Sequence, residues 1–438
     1  MLRPDQSQFV SDVRATFAAG HRDVLGICPT GWGKTYVAAH ILESSVALGN
    51  RVAFLTDREE IALDTVVRFR TAGLHTGLVM ADEPADADAP VQVAMIPTCT
   101  ARSIVPAASF AIWDECHHMP ASTWTALGDA MSAQGCRFLG ITATGQRGDG
   151  APLAPPFTAV VHGPSTRWCI ERGLLVPVHV IAPPDVEERG LCTSPVKAYQ
   201  QWTPEGKAIV FCANVEHVEV TVQEFLDAGV PSVGIVADTD RVTRRTIRDR
   251  VTAGDVRALV GCGVFIEGFD LPAIDTVILA RPFGATGTYL QAIGRGLRIF
   301  PGKESCTVLD LRGSVHTLGL PDEDREWRLD GDAVVRTERM PALMRCKVTE
   351  CGAIFRPAAR CPRCNAPTKG AAKLPRVFNR AERLMRLESV PVRVRDGMYL
   401  HKLERVARDR MRMSEWSAGR WAIRQFEKTR GRKPEATP

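Results

Sequence analysis

Gly31, Gly33, Lys34 and Thr35 lie in the run CPTGWGKT (28–35), directly after the apolar stretch Val24 to Ile27. Glycines let backbone N–H groups close around phosphates, a lysine at that place reaches the terminal phosphates, and a threonine hydroxyl can hold Mg²⁺. Eighty positions beyond Lys34, another apolar run ends in Asp114, Glu115, Cys116 and His117. A strand-end aspartate completes a Mg²⁺ site, and the adjacent Glu115 is placed to act as general base on a water. These are the two halves of a site that splits a nucleoside triphosphate. The strict loop pattern has glycine where this chain has Cys28, so the pairing with Asp-Glu-Cys-His carries the reading.

A matching set follows later: GVFIEGFD at 263–270, with Gly268 and Asp270, and QAIGRGLR at 291–298, with Gln291. Arg295 and Arg298, three apart, share one face of a helix, and Gly294 and Gly296 let that face approach a neighbour closely. Two arginines reaching from a second domain toward a phosphate site act as fingers on the transferred phosphoryl group. The plainer alternative, a helix with surface ion pairs, leaves two helix-weakening glycines unexplained. His117 also has two readings, a hydrogen-bonded core histidine or a link from the nucleotide site to another element.

Such groups need rigid elements to hold them. Short apolar runs alternate with helix-length segments twice over: Val24 to Ile27, Val52 to Leu55, Val91 to Ile96, Phe110 to Trp113 and Phe138 to Ile141, then Ala208 to Phe211, Ser232 to Val236, Ala258 to Val260, Thr276 to Leu279 and Thr307 to Leu309. That rhythm predicts an α/β chain of two tandem domains with parallel sheets. The Gly- and Pro-crowded stretch 148–164 disfavours regular structure and reads as the linker. The expected division is 1–164 and 165–315, followed by a cysteine-rich segment 340–370 and a tail 371–438.

The 438 residues, 45% hydrophobic and 24% charged, are those of a globular chain with no apolar stretch long enough for a membrane span. The N-terminus MLRPDQSQF is too polar for a signal peptide, so a cytoplasmic setting is expected. Nine of the 13 cysteines are scattered and read as reduced, buried thiols. The other four, Cys346, Cys351, Cys361 and Cys364, fall in CKVTECGAIFRPAARCPRC. Two thiolate pairs on tight turns can close a tetrahedron around Zn²⁺ and fold a segment too short for its own core. The net charge of +5 is lopsided: residues 371–438 hold 18 Lys and Arg against 8 Asp and Glu. Trp416, Trp421 and Phe426 are interleaved there with Arg420, Arg424 and Lys428, a pattern that suits either phosphate and base contact or the buried face of a helix.

Residues 2 to about 312 resemble a superfamily 2 helicase motor, in the branch that includes phage helicases and DNA-repair, branch-migrating and restriction motors with DExH boxes. The resemblance rests on motifs in family order: LRPDQ at 2–6, PTGWGKT, FLTDRE at 54–59, DECH, TAT at 142–144, AIVFCAN at 208–214, GVFIEGFDLP and QAIGRGLR. It implies that Gln6 hydrogen-bonds adenine with Arg3 nearby. Thr30, Gly31, Gly33, Lys34, Thr35, Gly268, Asp270 and Gln291 then face the nucleotide, while Thr142, Thr144 and His117 link hydrolysis to domain movement. Asp5, Cys28, Cys116 and Gly145 depart from the commoner residues, and none of them removes a catalytic group.

The resemblance implies two RecA-like domains, with a zinc ribbon and a basic helical tail added from the residues. It also implies an ATP- and Mg²⁺-dependent enzyme that moves along single-stranded, forked or branched DNA and separates or remodels strands. An RNA helicase, a duplex translocase without unwinding and a non-enzymatic scaffold are the alternatives. No nuclease constellation stands out.

Overall fold

The structure is a computed structural model that describes residues 2–81, 86–118, 122–147, 153–154, 156–183, 190–263 and 271–329, with short stretches between 333 and 387. The first sheet holds β1 (Asp23–Ile27), β2 (Val52–Thr56), β3 (Thr76–Val79), β4 (Val91–Met95), β5 (Phe110–Asp114), β6 (Arg137–Thr142) and β7 (Ala159–His162). Their order is β3-β4-β2-β5-β6-β1-β7, and every pairing is parallel. α1 (Pro4–Ala18) precedes β1, and the crossovers carry α2 (Lys34–Ala47), α3 (Glu59–Thr71), α4 (Ile96–Arg102) and α5 (Ser122–Ala133). Strands covered on both faces need no polar alternation, which is why Val52–Thr56 is buried throughout.

After α6 (Thr166–Glu171) the second sheet forms from β8 (Val178–Ala182), β9 (Ala208–Phe211), β10 (Ser232–Ile235), β11 (Ala258–Gly261), β12 (Thr276–Leu279) and β13 (Cys306–Asp310). The order β10-β11-β9-β12-β13-β8 is again parallel, with α7 (Pro195–Trp202), α8 (Val215–Asp227), α9 (Arg241–Ala253) and α10 (Thr286–Gly294) between the strands. Beyond it lies the short helix α11 (Val315–Leu318).

Of β1 to β13, three lie outside the apolar runs. They are β3, β8 and β7, the last inside the expected linker and paired to β1 from Val24↔Ala159 to Ile27↔His162. The linker reading is corrected at that point: the prolines before Phe157 end before the strand begins, and an edge strand needs partners on one side only. The Val91 to Ile96 run is likewise split, because Ile96 opens α4 with a proline in its first turn.

The chain then returns from the second domain to the first. β14 (Arg325–Trp327) pairs antiparallel with β15 (Ala333–Val335), and Trp327 is buried in the first domain's core with Ile27 and Phe157. Ala154 N–H donates to Leu329 O at 3.2 Å, and Arg167 pairs with Asp324 at 3.5 Å.

Farther on, β16 (Met344–Arg345) pairs with β17 (Ile354–Phe355), and an isolated bridge joins Arg360 and Pro367. β18 (Met385–Leu387) adds to β8 antiparallel. Cys361 is buried and Cys364 exposed, while Cys346, Cys351 and the tail beyond 387 lie outside the described residues. Among the described residues there is no cluster able to hold a metal, and no helix is long and apolar enough to cross a membrane.

Candidate active site between the two domains

The phosphate loop leaves β1 and enters α2 at Lys34 through two left-handed glycines, Gly31 at φ 86° and Gly33 at φ 101°. That backbone turns the first N–H groups of α2 toward the loop's hollow, a ready anion site. Asp114 ends β5, and Glu115 follows at φ 47°, a strained value for a residue with a side chain. The turn brings Glu115 Oε1 to 4.0 Å from Lys34 Nζ and Oε2 to 3.3 Å from His117 Nδ1. Burial, reinforced by the charge of Glu115, pushes the Asp114 carboxyl up. Burial raises Glu115 too, but Lys34 and the His117 hydrogen bond outweigh it and hold Glu115 well below the usual carboxylate range. Thr35 and Asp114 both line the cleft, and a hydroxyl with a carboxylate is an all-oxygen donor set of the kind Mg²⁺ prefers.

His117 is both buried and bridging, so its two readings merge. Thr142 Oγ1 donates to Thr144 O at 3.0 Å and accepts from Thr144 N–H at 3.2 Å. With its one proton committed, it can only accept from His117 Nδ1, 3.1 Å away. His117 therefore carries its proton on Nδ1, leaving Nε2 to accept from the Gln291 amide at 3.1 Å. Gln291 lies on α10, so this bond joins the two domains. Lys34, Glu115, His117, Thr142 and Gln291 make one continuous polar path.

The arginine pair is placed differently from the expected helical face. α10 stops at Gly294, Arg295 caps it, and Arg298 makes an antiparallel bridge to Leu175 in the turn beyond. Both arginines still line the same cleft as Lys34, Asp114 and Glu115. Burial lowers Arg298 to about 10 while Glu115 opposes the shift, so the guanidinium stays charged at neutral pH. The glycines are explained by contact: a Cβ on Gly294 would lie 2.7 Å from Thr30 Cβ, and one on Gly296 would lie 2.7 Å from Val277 Cγ2. Gly268 and Asp270 lie outside the described residues.

Arg3 lines the cleft beside the phosphate loop, whereas Gln6 is 2% exposed beneath it. The cleft, about 900 Å³, is also lined by Tyr36, Arg58, Arg244, Arg245 and Arg248, which sequence reasoning left without a part. Arg58 stands within FLTDRE, and Arg248 lies one turn beyond the adjacent pair Arg244 and Arg245 on α9. That spacing was the available signal.

Two α/β sheets that flank one cleft define a RecA-like, two-domain fold. Residues 1–147 match the family model of the type III restriction enzyme res subunit, and residues 195–300 match the helicase conserved C-terminal domain. A 51.5 kDa protein of Lactococcus phage (isolate 7-9) is 24% identical over 323 residues, covering 68% of each chain. A Schizosaccharomyces pombe protein named as a mitochondrial ATP-dependent helicase, irc3, is 25% identical over 73% of this chain and 58% of its own length. In fold, the chain is similar to the DNA-bound type ISP restriction-modification enzyme LlaBIII, with TM-score 0.53 and 16% identity over 72% of this chain and 28% of that one. These matches support a superfamily 2 helicase of the restriction and DNA-repair type.

Proposed function

We propose that this chain is an ATP-driven motor that moves along DNA and separates strands or remodels forks and branches. The observation that carries the reading is the Gln291–His117 bond at 3.1 Å, which ties the second domain to the carboxylate beside Lys34. Lys34 and the N–H groups of α2 hold the β- and γ-phosphates, with Thr35 and Asp114 as the residues that would hold Mg²⁺. Bound there, the ion would neutralise phosphate charge. Glu115 orients a water in line with the γ-phosphate and accepts its proton. Arg295 and Arg298 offset the charge that develops as the bond to the β-phosphate oxygen lengthens, a contribution typically worth about 10³ to 10⁵ in rate.

Because these groups come from two domains, γ-phosphate favours the closed arrangement and its loss releases it. Repeated closure while each domain grips backbone phosphate advances the protein along a strand. DNA is favoured over RNA by the DNA-bound enzyme of similar fold and by the restriction-type family match. Cys346, Cys351, Cys361 and Cys364 would bind one Zn²⁺, and the basic tail would add phosphate contacts.

The test is the steady-state ATPase rate without polymer and with single-stranded, duplex and forked DNA and RNA, using Lys34→Ala as control. Stimulation by DNA and loss in the variant are expected. Stronger stimulation by RNA would overturn the substrate, and turnover by Lys34→Ala would overturn the site.

A further inference from the structure

Arg298 stands where the chain leaves the cleft: Ile299 after it is exposed, and the backbone reverses through Gly302, whose φ is 79°. Lys303 completes the reversal, its N–H donating to Phe300 O at 3.0 Å. Its side chain then runs back inward, where Nζ donates to Arg298 O at 2.8 Å and to Pro272 O at 3.0 Å. Pro272 is the last residue of GVFIEGFDLP and Arg298 the last of QAIGRGLR, so one ammonium joins the ends of both motifs. Behind the turn, a Cβ on Gly296 would meet Cys306 Sγ, and Leu297 O accepts from Val176 N–H at 2.9 Å. In front, the Arg298 stem lies on the phosphate loop, since a Cβ on Gly31 would be 3.2 Å from Arg298 Cγ. Burial lowers Lys303 to about 8, although Cys306 and Asp275 oppose the shift and Arg298 adds to it. An ammonium drawn out of water is costly unless acceptors replace that water, and here the two carbonyls do so.

We propose that Lys303 is a positioning residue for phosphoryl transfer, clamping the Arg298 backbone to Pro272 so that the guanidinium is held against the phosphate loop. This role rests on the reading of Arg298 as a finger on the γ-phosphate. A long side chain follows its own backbone, and a turn that opens onto solvent at Ile299 needs a tie on its outer side. Lys303 supplies that tie from the far side of the reversal. Its effect falls where charge develops on the transferred group, because a finger acts on the transition state and leaves the diphosphate product bound as before.

The experiment measures kcat and KM for ATP, and the affinity of the full chain for ADP with and without aluminium fluoride, in wild type, Lys303→Met, Arg298→Ala and the double variant. Lys303→Gln, a neutral amide too short to span both carbonyls, takes the place of Lys303→Met if that variant does not fold. The clamp predicts a kcat lowered about 10²-fold in Lys303→Met with KM nearly unchanged, the usual result of displacing a catalytic group by about 1 Å. ADP affinity holds, whereas the aluminium fluoride complex, which mimics the phosphoryl group in transfer, weakens by a similar factor. Because Lys303 acts through Arg298, the double variant is no slower than Arg298→Ala alone. Losses that multiply in the double variant, or an ADP affinity that falls as far as kcat, would overturn the clamp. So would Lys303→Met at the wild-type rate beside a slow Arg298→Ala, an outcome that leaves the finger standing. Arg298→Ala at the wild-type rate would defeat the finger reading and the clamp together.

Discussion

Gly294, the last helical residue before the arginine turn, faces Thr30 of the phosphate loop so closely that a Cβ would lie 2.7 Å from Thr30 Cβ and 3.1 Å from its Oγ1. The two domains thus meet backbone to side chain at the edge of the phosphate site. Gly294→Ala adds one methyl to that contact without touching either fold's interior. Overpacking of this size typically costs about 1–3 kcal/mol, here charged to the closed state alone. The expected result is a kcat reduced roughly ten- to hundredfold, with little change in thermal midpoint. An unaltered kcat would mean that closure in solution does not bring these residues together.

Gln291 makes the cross-domain bond to His117, and both partners are buried. Gln291→Ala leaves His117 Nε2 without its donor, whereas Gln291→Glu places an acceptor against an acceptor. Both should reduce nucleic-acid-stimulated turnover, the glutamate variant more, while the basal rate changes less. The check is the ratio of stimulated to basal ATPase; equal loss in both rates would place Gln291 in the chemistry rather than in coupling.

Much of this site was legible because its signals are local. CPTGWGKT and DECH each sit where a β-strand ends, and strand ends were readable from apolar runs. What was not legible depends on contacts between distant segments. No spacing in LRPDQ tells that Gln6 turns toward Trp32, and the helix that should have carried Arg295 and Arg298 stops early because Gly294 and Gly296 fit tight neighbours. β7 escaped notice because the turn residues before it masked four strand residues.

Trp327 belongs in sequence to the segment leaving the second domain, yet it packs under Gly145, whose missing Cβ would lie 2.6 Å from Trp327 Cβ and 2.7 Å from Ile27 Cδ1. Gly145 directly follows Thr144, so this strap reaches the segment that touches α10. Trp327→Ala should destabilise the first domain by about 3–5 kcal/mol, the usual result of emptying a buried aromatic site. Denaturant unfolding followed by limited proteolysis would locate the loss. If the second domain alone became labile, the strap would not be part of the first domain's core.

Buried thiols set the alkaline limit of stability. Burial pushes Cys99, Cys136, Cys169 and Cys306 up to about 12 and Cys212 up to about 11, against 9 for an exposed thiol. Above pH 9 the unfolded chain loses these protons and the native chain keeps them. The unfolded state then binds fewer protons, and stability falls as pH rises, by about 1.4 kcal/mol per pH unit for each fully shifted thiol. Lys303 acts oppositely, since burial lowers it to about 8 and its contribution grows between pH 8 and 10.5, but it is one group against these five thiols and the likewise raised Cys28 and Cys116. The urea midpoint under reducing conditions should therefore drop between pH 9 and 10.5, and Cys99→Ala should flatten that slope by one thiol's share. A midpoint that holds level to pH 10.5 would show that the thiols ionise equally in both states.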